Sequence, residues 1–217
     1  MRINKEQEAR LKILILAPHP DDGELGCGAS ISKYLEEGHE IYYMTFSFCE
    51  ESIREEFPQN ILETEVKKAT QGLGISNTHL IIKRYPVRKF PQHRQDILED
   101  LILIQKNISP DLVFMPSSFD IHQDHNTIFL EGRRAFRNSS LLGYEFIWDN
   151  FSFNTSCFIS VNEKHIQKKI EAVNVYRSQH HRFYAKKDLI RGLASYRGLQ
   201  VSTEFAEAFE VIRWIIK

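Results

Sequence analysis

The sequence has few cysteines, no excess of charge of either sign and no long hydrophobic run. Its three cysteines, Cys27, Cys49 and Cys157, are odd in number and widely spaced, so no disulfide framework is expected. Twenty-eight basic and 29 acidic side chains leave a net charge of −1, without the basic footprint of a nucleic-acid-binding protein. No window approaches the ~20 apolar residues that a membrane span needs, and no secretory signal is evident. We expect a cytoplasmic protein.

Short apolar runs alternate along the chain with segments of helical spacing. The runs 13–16, 41–46, 80–82 and 112–115 have the composition of buried strands. Segments between them, such as 61–73, place apolar residues on one face of a helix. Strands that alternate with helices predict an α/β fold, with a mostly parallel central sheet and helices on both of its faces.

The alternation weakens after about residue 143. We therefore expect one domain over 1–217, with a core over about 11–142 and a small appended lobe over about 143–217. Near the start of the core, three glycines follow the first strand. They favour a loop over 18–28 and a helix that begins only at about Ala29.

A histidine and three acidic residues follow the first predicted strand. Residues 18–24 read PHPDDGE, with adjacent carboxylates at Asp21 and Asp22. Ligands bind at the carboxyl ends of parallel strands, and adjacent carboxylates repel each other unless a cation or strong donors neutralise them. The loop fits either a metal site or a cap on the following turn. A dinucleotide-binding glycine motif does not fit, because Ile31 stands where the third glycine belongs.

A second loop rich in histidine and aspartate follows the strand 112–115. Residues 120–125 read DIHQDH, and this loop should lie at the same edge of the sheet as the first. His19, Asp22 and His125 would supply two imidazoles and one carboxylate, the ligand pattern of catalytic zinc with one position left for water. Non-haem iron oxygenases use the same ligand types, so this set alone leaves the reaction open.

Together the two loops resemble the signature motifs of the PIG-L (LmbE-like) deacetylase family. Residues 18–28, PHPDDGELGCG, match the first motif, and 122–125 match its His-x-Asp-His motif. Residues 176–179 resemble the family's Arg-Ser-Gln segment, and 191–192 and 205–209 resemble its C-terminal stretch. The resemblance implies a Rossmann-like three-layer sandwich, one divalent metal ion, usually zinc, and hydrolysis of an N-acetyl or other N-acyl group.

The resemblance also implies roles for individual residues. His19, Asp22 and His125 match the metal ligands, and Asp21 matches the general base.

His122 matches the residue that stabilises the oxyanion or protonates the leaving amine, and Asp124 is expected to hold it.

The sequence departs from the family pattern at three places. Gly23 stands where many members have a glutamate, and the acidic residue here is Glu24. Asp120 stands where some members have a tyrosine. The substrate-positioning arginine has no secure match, and Arg54 is a candidate for it.

We therefore expect a zinc-dependent deacetylase of a small N-acylated molecule, such as a derivative of N-acetylglucosamine. A non-haem iron oxygenase and a non-catalytic sugar- or nucleotide-binding module are the alternatives. The parallel sheet argues against the first, and Asp21 with both motif histidines argues against the second. The sequence leaves three things open: the substrate, the choice between zinc and another divalent metal, and the formation of a homo-oligomer.

Overall fold

The computed structural model describes residues 10–216 of the chain. One mixed sheet of seven strands in the order β3-β2-β1-β4-β5-β7-β6 forms its centre. The first five strands in this order are mutually parallel, and β7 is antiparallel to both of its neighbours, β5 and β6. The strands are β1 (Lys12–Ala17), β2 (Glu40–Thr45), β3 (Leu80–Ile82), β4 (Leu112–Pro116), β5 (Ser140–Tyr144), β6 (Cys157–Val161) and β7 (Phe205–Arg213).

Helices cover both faces of this sheet, and each face has its own apolar core. The two cores exist because side chains of a parallel strand point alternately to opposite faces. In β1, for example, Ile13 and Ile15 pack on one side, whereas Leu14 and Leu16 pack on the other. The helices are α1 (Asp22–Glu36), α2 (Ile61–Leu73), α3 (Arg94–Ile108), α4 (Gln123–Ala135), α5 (Glu163–Asn174) and α6 (Lys187–Leu199).

This architecture confirms the predicted α/β sandwich with a mostly parallel sheet. The residues after 143 extend the same sheet, because β7 pairs with β5 and β6 pairs with β7 at the outer edge. Within residues 10–216, no helix has the combination of length and apolar character that crossing a bilayer requires.

The sheet reverses its strand order between β1 and β4. On one side of β1 lie β2 and then β3, and on the other side lie β4 and then β5. At such a switch point the loops that leave the two central strands diverge and open a crevice. The loop after β1 leads into α1, and the loop after β4 leads into α4. The two loops rich in histidine and aspartate therefore meet at this crevice.

Helix α1 begins earlier than the sequence indicates. It starts at Asp22, not near Ala29, and its backbone leaves helical geometry at Cys27 (φ −147°, ψ 24°). The buried carboxylate of Glu207, on β7, accepts hydrogen bonds from the backbone N–H groups of Ala29 and Ser30. It thereby satisfies donors that the kink leaves without helical partners. The early start and the kink depend on this distant residue, so local sequence does not reveal them.

Candidate metal centre

The candidate ligands lie at three places around the crevice: the loop after β1, the start of α1 and the start of α4. His19 lies in the loop after β1, and Asp22 is the first residue of α1. His125 lies in the first turn of α4, and His122 is the N-cap residue of that helix. Asp22 and His125 are only 6% and 3% exposed. The fold therefore brings together residues that are more than 100 positions apart in the chain.

The donor atoms of His19, Asp22 and His125 converge on one point. His19 Nδ1 lies 3.1 Å from His125 Nε2 and 3.2 Å from Asp22 Oδ2, and His125 Nε2 lies 3.2 Å from Asp22 Oδ2. An ion bound tetrahedrally at about 2.0–2.2 Å separates its ligands by roughly 3.3–3.6 Å. The three donors need to move apart by only a few tenths of an ångström, so the site fits a divalent ion.

Electrostatics at these three residues also favours a cation. Burial disfavours charge on His125, yet the carboxylates of Asp22 and Asp120 raise its pKa to about 10. Burial likewise opposes ionisation of Asp22, yet the imidazoles of His125 and His19 hold its pKa well below the usual range. The carboxylates that stabilise protons on the two imidazoles would equally stabilise a divalent ion in their place.

Each imidazole is oriented by a second carboxylate behind it. His19 Nε2 donates to Asp124 Oδ2 over 3.0 Å, and His125 Nδ1 donates to Asp120 Oδ2 over 2.7 Å. Such carboxylate–histidine pairs fix the ring tautomer and leave the opposite nitrogen free to bind a metal. The role of Asp120 escaped sequence reasoning, which treated this position only as a missing tyrosine. Its spacing of five residues before His125 was the available signal.

Asp124 holds a different histidine from the one expected. Its carboxylate bonds His19 and accepts the backbone N–H groups of Arg88 and Phe90 at 2.6 and 3.2 Å. It contacts His122 only through its own backbone N–H, which donates to His122 Nδ1 over 3.1 Å. The expectation that the Asp124 carboxylate holds His122 is therefore wrong, because the carboxylate already serves His19 and the neighbouring loop.

Two other groupings of ligating atoms occur near the same point. His122 lies with His19 and His125 so that one nitrogen from each falls within 4.8 Å of the others. Asp120, His125 and Asp149 form a second group of this kind. In that second group Asp120 is only 2.7 Å from His125 Nδ1, which is a hydrogen-bond distance and too short for two ligands of one ion. We favour the set His19, Asp22 and His125 over both groups, because its donor atoms lie only 3.1–3.2 Å apart and include a carboxylate.

Asp21 stands at the N-cap position of α1 but does not cap it. Its side chain makes no capping hydrogen bond, and it lines the cavity in front of the candidate ligands. Burial, reinforced by the neighbouring Asp22 carboxylate, raises the pKa of Asp21 to about 6. Between the two interpretations of this loop, the geometry therefore favours a chemical role for Asp21 over a capping role.

A buried polar cluster supports the loop from below. The hydroxyls of Tyr43 and Tyr176 each contact the carbonyl oxygen of Pro20, at 2.8 and 2.7 Å, and each bonds the carboxyl of Glu24. Burial raises the pKa of Glu24 to about 8, so the acid is neutral at neutral pH and carries a proton of its own. That proton helps to satisfy four contacts that the two phenolic protons alone cannot supply. The ring of Tyr43 also occupies the space that a Cβ at position 23 would need, which explains why this residue is glycine.

The cavity that contains this site has a volume of about 320 Å³. Arg88 and Arg182 line it, as does Gln179 of the Arg-Ser-Gln segment. Ser178 fixes that segment to α2, because its hydroxyl and backbone N–H both donate to the buried carboxylate of Glu65. Sequence reasoning did not single out Arg88 or Arg182, and it noted Gln179 only as part of the Arg-Ser-Gln segment.

Arg54 does not reach this cavity. Its side chain is 55% exposed and pairs with Glu56 over 3.2 Å. One wall of the cavity is aromatic: Trp148 and Tyr184 line it, and Trp148 stacks on Phe146 and on Tyr184, with ring centroids 4.8 and 4.0 Å away. A smaller cavity of about 40 Å³ lies beside this wall, but it contains none of the candidate ligands.

The fold is shared with solved structures, and one of them is a hydratase. The conserved protein TT1542 of Thermus thermophilus superposes with a TM-score of 0.78 at 25% identity, over 95% of this chain and 97% of its own. The 4-carboxy-2-hydroxymuconate hydratase of Pseudomonas putida KT2440 gives a TM-score of 0.77 at 16% identity, over 95% and 98% of the two chains. Since a hydratase has this fold, the fold by itself does not specify a reaction.

Comparisons of sequence are more specific. An uncharacterized deacetylase of Escherichia coli K12, YaiS, is 29% identical over 175 residues, which is 78% of this chain and 92% of the relative. The diacetylchitobiose deacetylase of Thermococcus kodakarensis is 21% identical over 236 aligned positions, 97% of this chain and 86% of the relative. The family model described as PIG-L, GlcNAc-PI de-N-acetylase, matches residues 14–136 and thus more than half of the chain. The chain belongs to the PIG-L family of de-N-acetylases.

Proposed function

We propose that this chain is a zinc-dependent hydrolase that removes an N-acetyl or other N-acyl group from a small molecule, as a single deacetylase domain. The observation that carries the proposal is the convergence of His19, Asp22 and His125, with donor atoms 3.1–3.2 Å apart. Beside them lies Asp21, a half-buried carboxylate that does not cap its helix. Membership of a de-N-acetylase family supports amide hydrolysis as the reaction.

His19, Asp22 and His125 would hold the ion. When bound, zinc lowers the pKa of a water molecule to about 7 and polarises the acyl carbonyl. Asp21 accepts the proton of the attacking water and returns it to the departing nitrogen. A carboxylate whose pKa is raised toward neutrality suits this exchange, because it can both take and give a proton near pH 7.

His122 stabilises the negative charge that develops on the acyl oxygen. Burial and the neighbouring imidazoles of His125 and His19 lower its pKa to about 4, so the ring is neutral. Its Nδ1 accepts from the backbone N–H of Asp124, so the ring proton lies on Nε2. A neutral imidazole with that proton is a fixed hydrogen-bond donor for an oxyanion.

The substrate is an N-acetylated amino sugar or glycoconjugate. A cavity of about 320 Å³ is of the size that accepts a small molecule. Arg88, Arg182 and Gln179 line it with hydrogen-bond donors suited to hydroxyl groups. Trp148 and Tyr184, which stack on each other, also line the cavity and offer aromatic surface for a sugar ring. The diacetylchitobiose deacetylase among the relatives supports this substrate class.

The proposal is tested by metal analysis of the purified protein, combined with acetate release from a panel of N-acetylated sugars. We expect about one zinc ion per chain and acetate release that stops after chelation and returns with zinc. The assay is repeated without oxygen, because an iron oxygenase needs oxygen and a hydrolase does not. Zinc-loaded protein that releases no acetate from any member of the panel contradicts the proposal.

A further inference from the structure

A second, strongly positive groove lies away from the candidate metal centre. It has a volume of about 530 Å³ and is formed by the start of α3, the end of α4 and the end of β7. Five of the residues that line it are arginines. They are Arg94, Arg133, Arg134, Arg137 and Arg213.

Three of these arginines are held in place by the fold. Arg94 and Arg134 bind opposite oxygens of the fully buried carboxylate of Glu131, at 2.7 and 2.5 Å. Arg213 donates to the backbone carbonyl oxygen of Phe136 over 2.8 Å. Their guanidinium groups are thus positioned before any ligand arrives, which lowers the entropy lost on binding.

The other two arginines have donors to spare. Arg133 lies over the ring of Phe129, 5.1 Å from its centroid, and Arg137 follows the end of α4. Over residues 10–216, neither side chain has a hydrogen bond or an ion pair, and both are exposed. Within the described part of the chain, the ion pairs of these five arginines all go to one carboxylate, that of Glu131, which binds Arg94 and Arg134.

The dipole of α4 accounts for only part of this concentration. Arginines in the last turn of a helix interact favourably with its negative end, and Arg133 and Arg134 occupy that turn. Arg94 comes from the first turn of a different helix and Arg137 lies beyond α4. Helix stabilisation therefore does not explain why they converge on the same groove.

We propose that this groove binds a small polyphosphate anion, a ligand that carries two or more linked phosphate groups. One guanidinium group can donate two parallel hydrogen bonds to two oxygens of a phosphate. Several converging arginines therefore match several linked phosphates. The groove has the size of a small-molecule site. A nucleic acid is a poorer fit, because the chain as a whole has a net charge of −1 and lacks an extended basic surface.

The site is separate from the candidate metal centre. Arg213 pairs with Leu141 at the start of β5, whereas the metal loops lie at the ends of the parallel strands. Helix α4 joins the two regions, with His125 in its first turn and Arg133 in its last, about 12 Å apart along the axis.

The test is calorimetric titration of the full chain with inorganic triphosphate at 0.1 M salt, a condition chosen to screen weak surface attraction. We compare the wild type with the double variant R133Q/R137Q, which changes two exposed side chains that hold no part of the fold. The double variant R54Q/R84Q is the matched control, because it removes two exposed positive charges elsewhere. Circular dichroism verifies that all three proteins are folded.

We expect saturable binding with a Kd below about 1 mM. Affinity should fall about tenfold or more in R133Q/R137Q and stay within about twofold in R54Q/R84Q, since only the former loses phosphate contacts. Absence of binding to the wild type overturns the proposal, as does an equal loss in both variants. A single-stranded oligonucleotide that binds more than about tenfold tighter than triphosphate also overturns it in favour of a nucleic-acid site.

Discussion

At the scale of single residues, the candidate metal centre depends on carboxylates that do not touch the ion. Asp124 and Asp120 stand behind His19 and His125 and fix which nitrogen of each ring faces the site. These carboxylates set both the orientation and the basicity of the two histidines. Their removal should therefore lower the affinity for the metal ion more than the stability of the fold.

Replacing Asp120 with Asn should lower zinc affinity by about 10- to 100-fold, the usual effect of removing such a partner. The amide keeps the shape of the side chain but carries no charge to polarise His125. Competition with a chromophoric chelator measures the affinity. The surface variant Asp96→Asn, whose side chain is 72% exposed, is the control. Unchanged zinc affinity in Asp120→Asn would mean that His125 does not bind the metal.

Asp21 and Asp22 should separate into two roles, although they are neighbours with the same side chain. Asp21→Asn should cut turnover by about 10²- to 10⁴-fold with zinc content near normal, because it removes only the proton acceptor. Asp22→Asn should instead lose zinc, because it removes a ligand. Steady-state acetate release with metal analysis on the same samples checks both. Full turnover in Asp21→Asn would remove this residue from the mechanism.

The sequence alone was enough to propose His19, Asp22 and His125, because both loops carry short motifs with metal-binding chemistry. It was not enough to pair each carboxylate with its histidine. The partner of Asp124 depends on the position of His19, 105 residues away, and on the backbone of Arg88 and Phe90. Such partners are fixed by the fold and leave no local pattern.

At the scale of elements, the metal loop owes its shape to supports from β2 and from the segment after α5. Tyr43 and Tyr176 reach the Pro20 carbonyl from these two directions and share the neutral carboxyl of Glu24. A buried network of this kind is rigid when every group is satisfied and costly when one is removed.

Tyr43→Phe should lower the free energy of unfolding by about 1–3 kcal/mol, because it leaves buried polar groups without a partner. Tyr42→Phe is the matched control on the same strand, since its hydroxyl bonds the partly exposed Glu40 and the change should stay within about 0.5 kcal/mol. Chemical denaturation of both variants measures the difference. Equal losses would mean that the cluster under the loop is not energetically special.

The kink of α1 depends on Glu207 in the same way. This carboxylate accepts the N–H groups of Ala29 and Ser30 and also pairs with the buried Lys169 over 2.6 Å. Glu207→Leu should destabilise the protein by about 3–5 kcal/mol, because it leaves a buried charge alone.

The double variant Glu207→Leu/Lys169→Met should recover part of that loss, since it removes the unpaired charge but not the need for a cap on α1. Denaturation midpoints of the single and double variants measure the recovery, and the exposed pair Glu163–Arg191 offers a control substitution, Glu163→Gln. A double variant no more stable than Glu207→Leu would show that the ion pair is not the source of the loss.

Helix boundaries illustrate what an element-scale prediction can reach. Residues 61–73 were predicted as a helix and form α2 over the same span, because apolar spacing and Gly74 in the left-handed region are both local signals. The start of α1 was misjudged, because its glycines indicate a loop while its kink is stabilised by Glu207 from the far end of the chain.

At the scale of the whole molecule, the alternation of strands and helices was enough to predict the α/β sandwich. The chain then brings scattered residues together in ways that no local run discloses. The arginine groove collects residues from 94 to 213, and the balanced overall charge conceals it. The cavity that contains the candidate metal centre likewise gains Arg88 from one segment and Gln179 and Arg182 from another, whereas the side chain of Arg54 pairs with Glu56 outside it.

The central claim is that one ion binds between the loops after β1 and β4. The most direct measurement is an anomalous difference map at the zinc edge, from crystals of the purified protein. We expect one strong peak about 2.0–2.2 Å from His19 Nδ1, His125 Nε2 and a carboxylate oxygen of Asp22. No peak at these atoms, or a single peak between Asp120 and Asp149 instead, would contradict it.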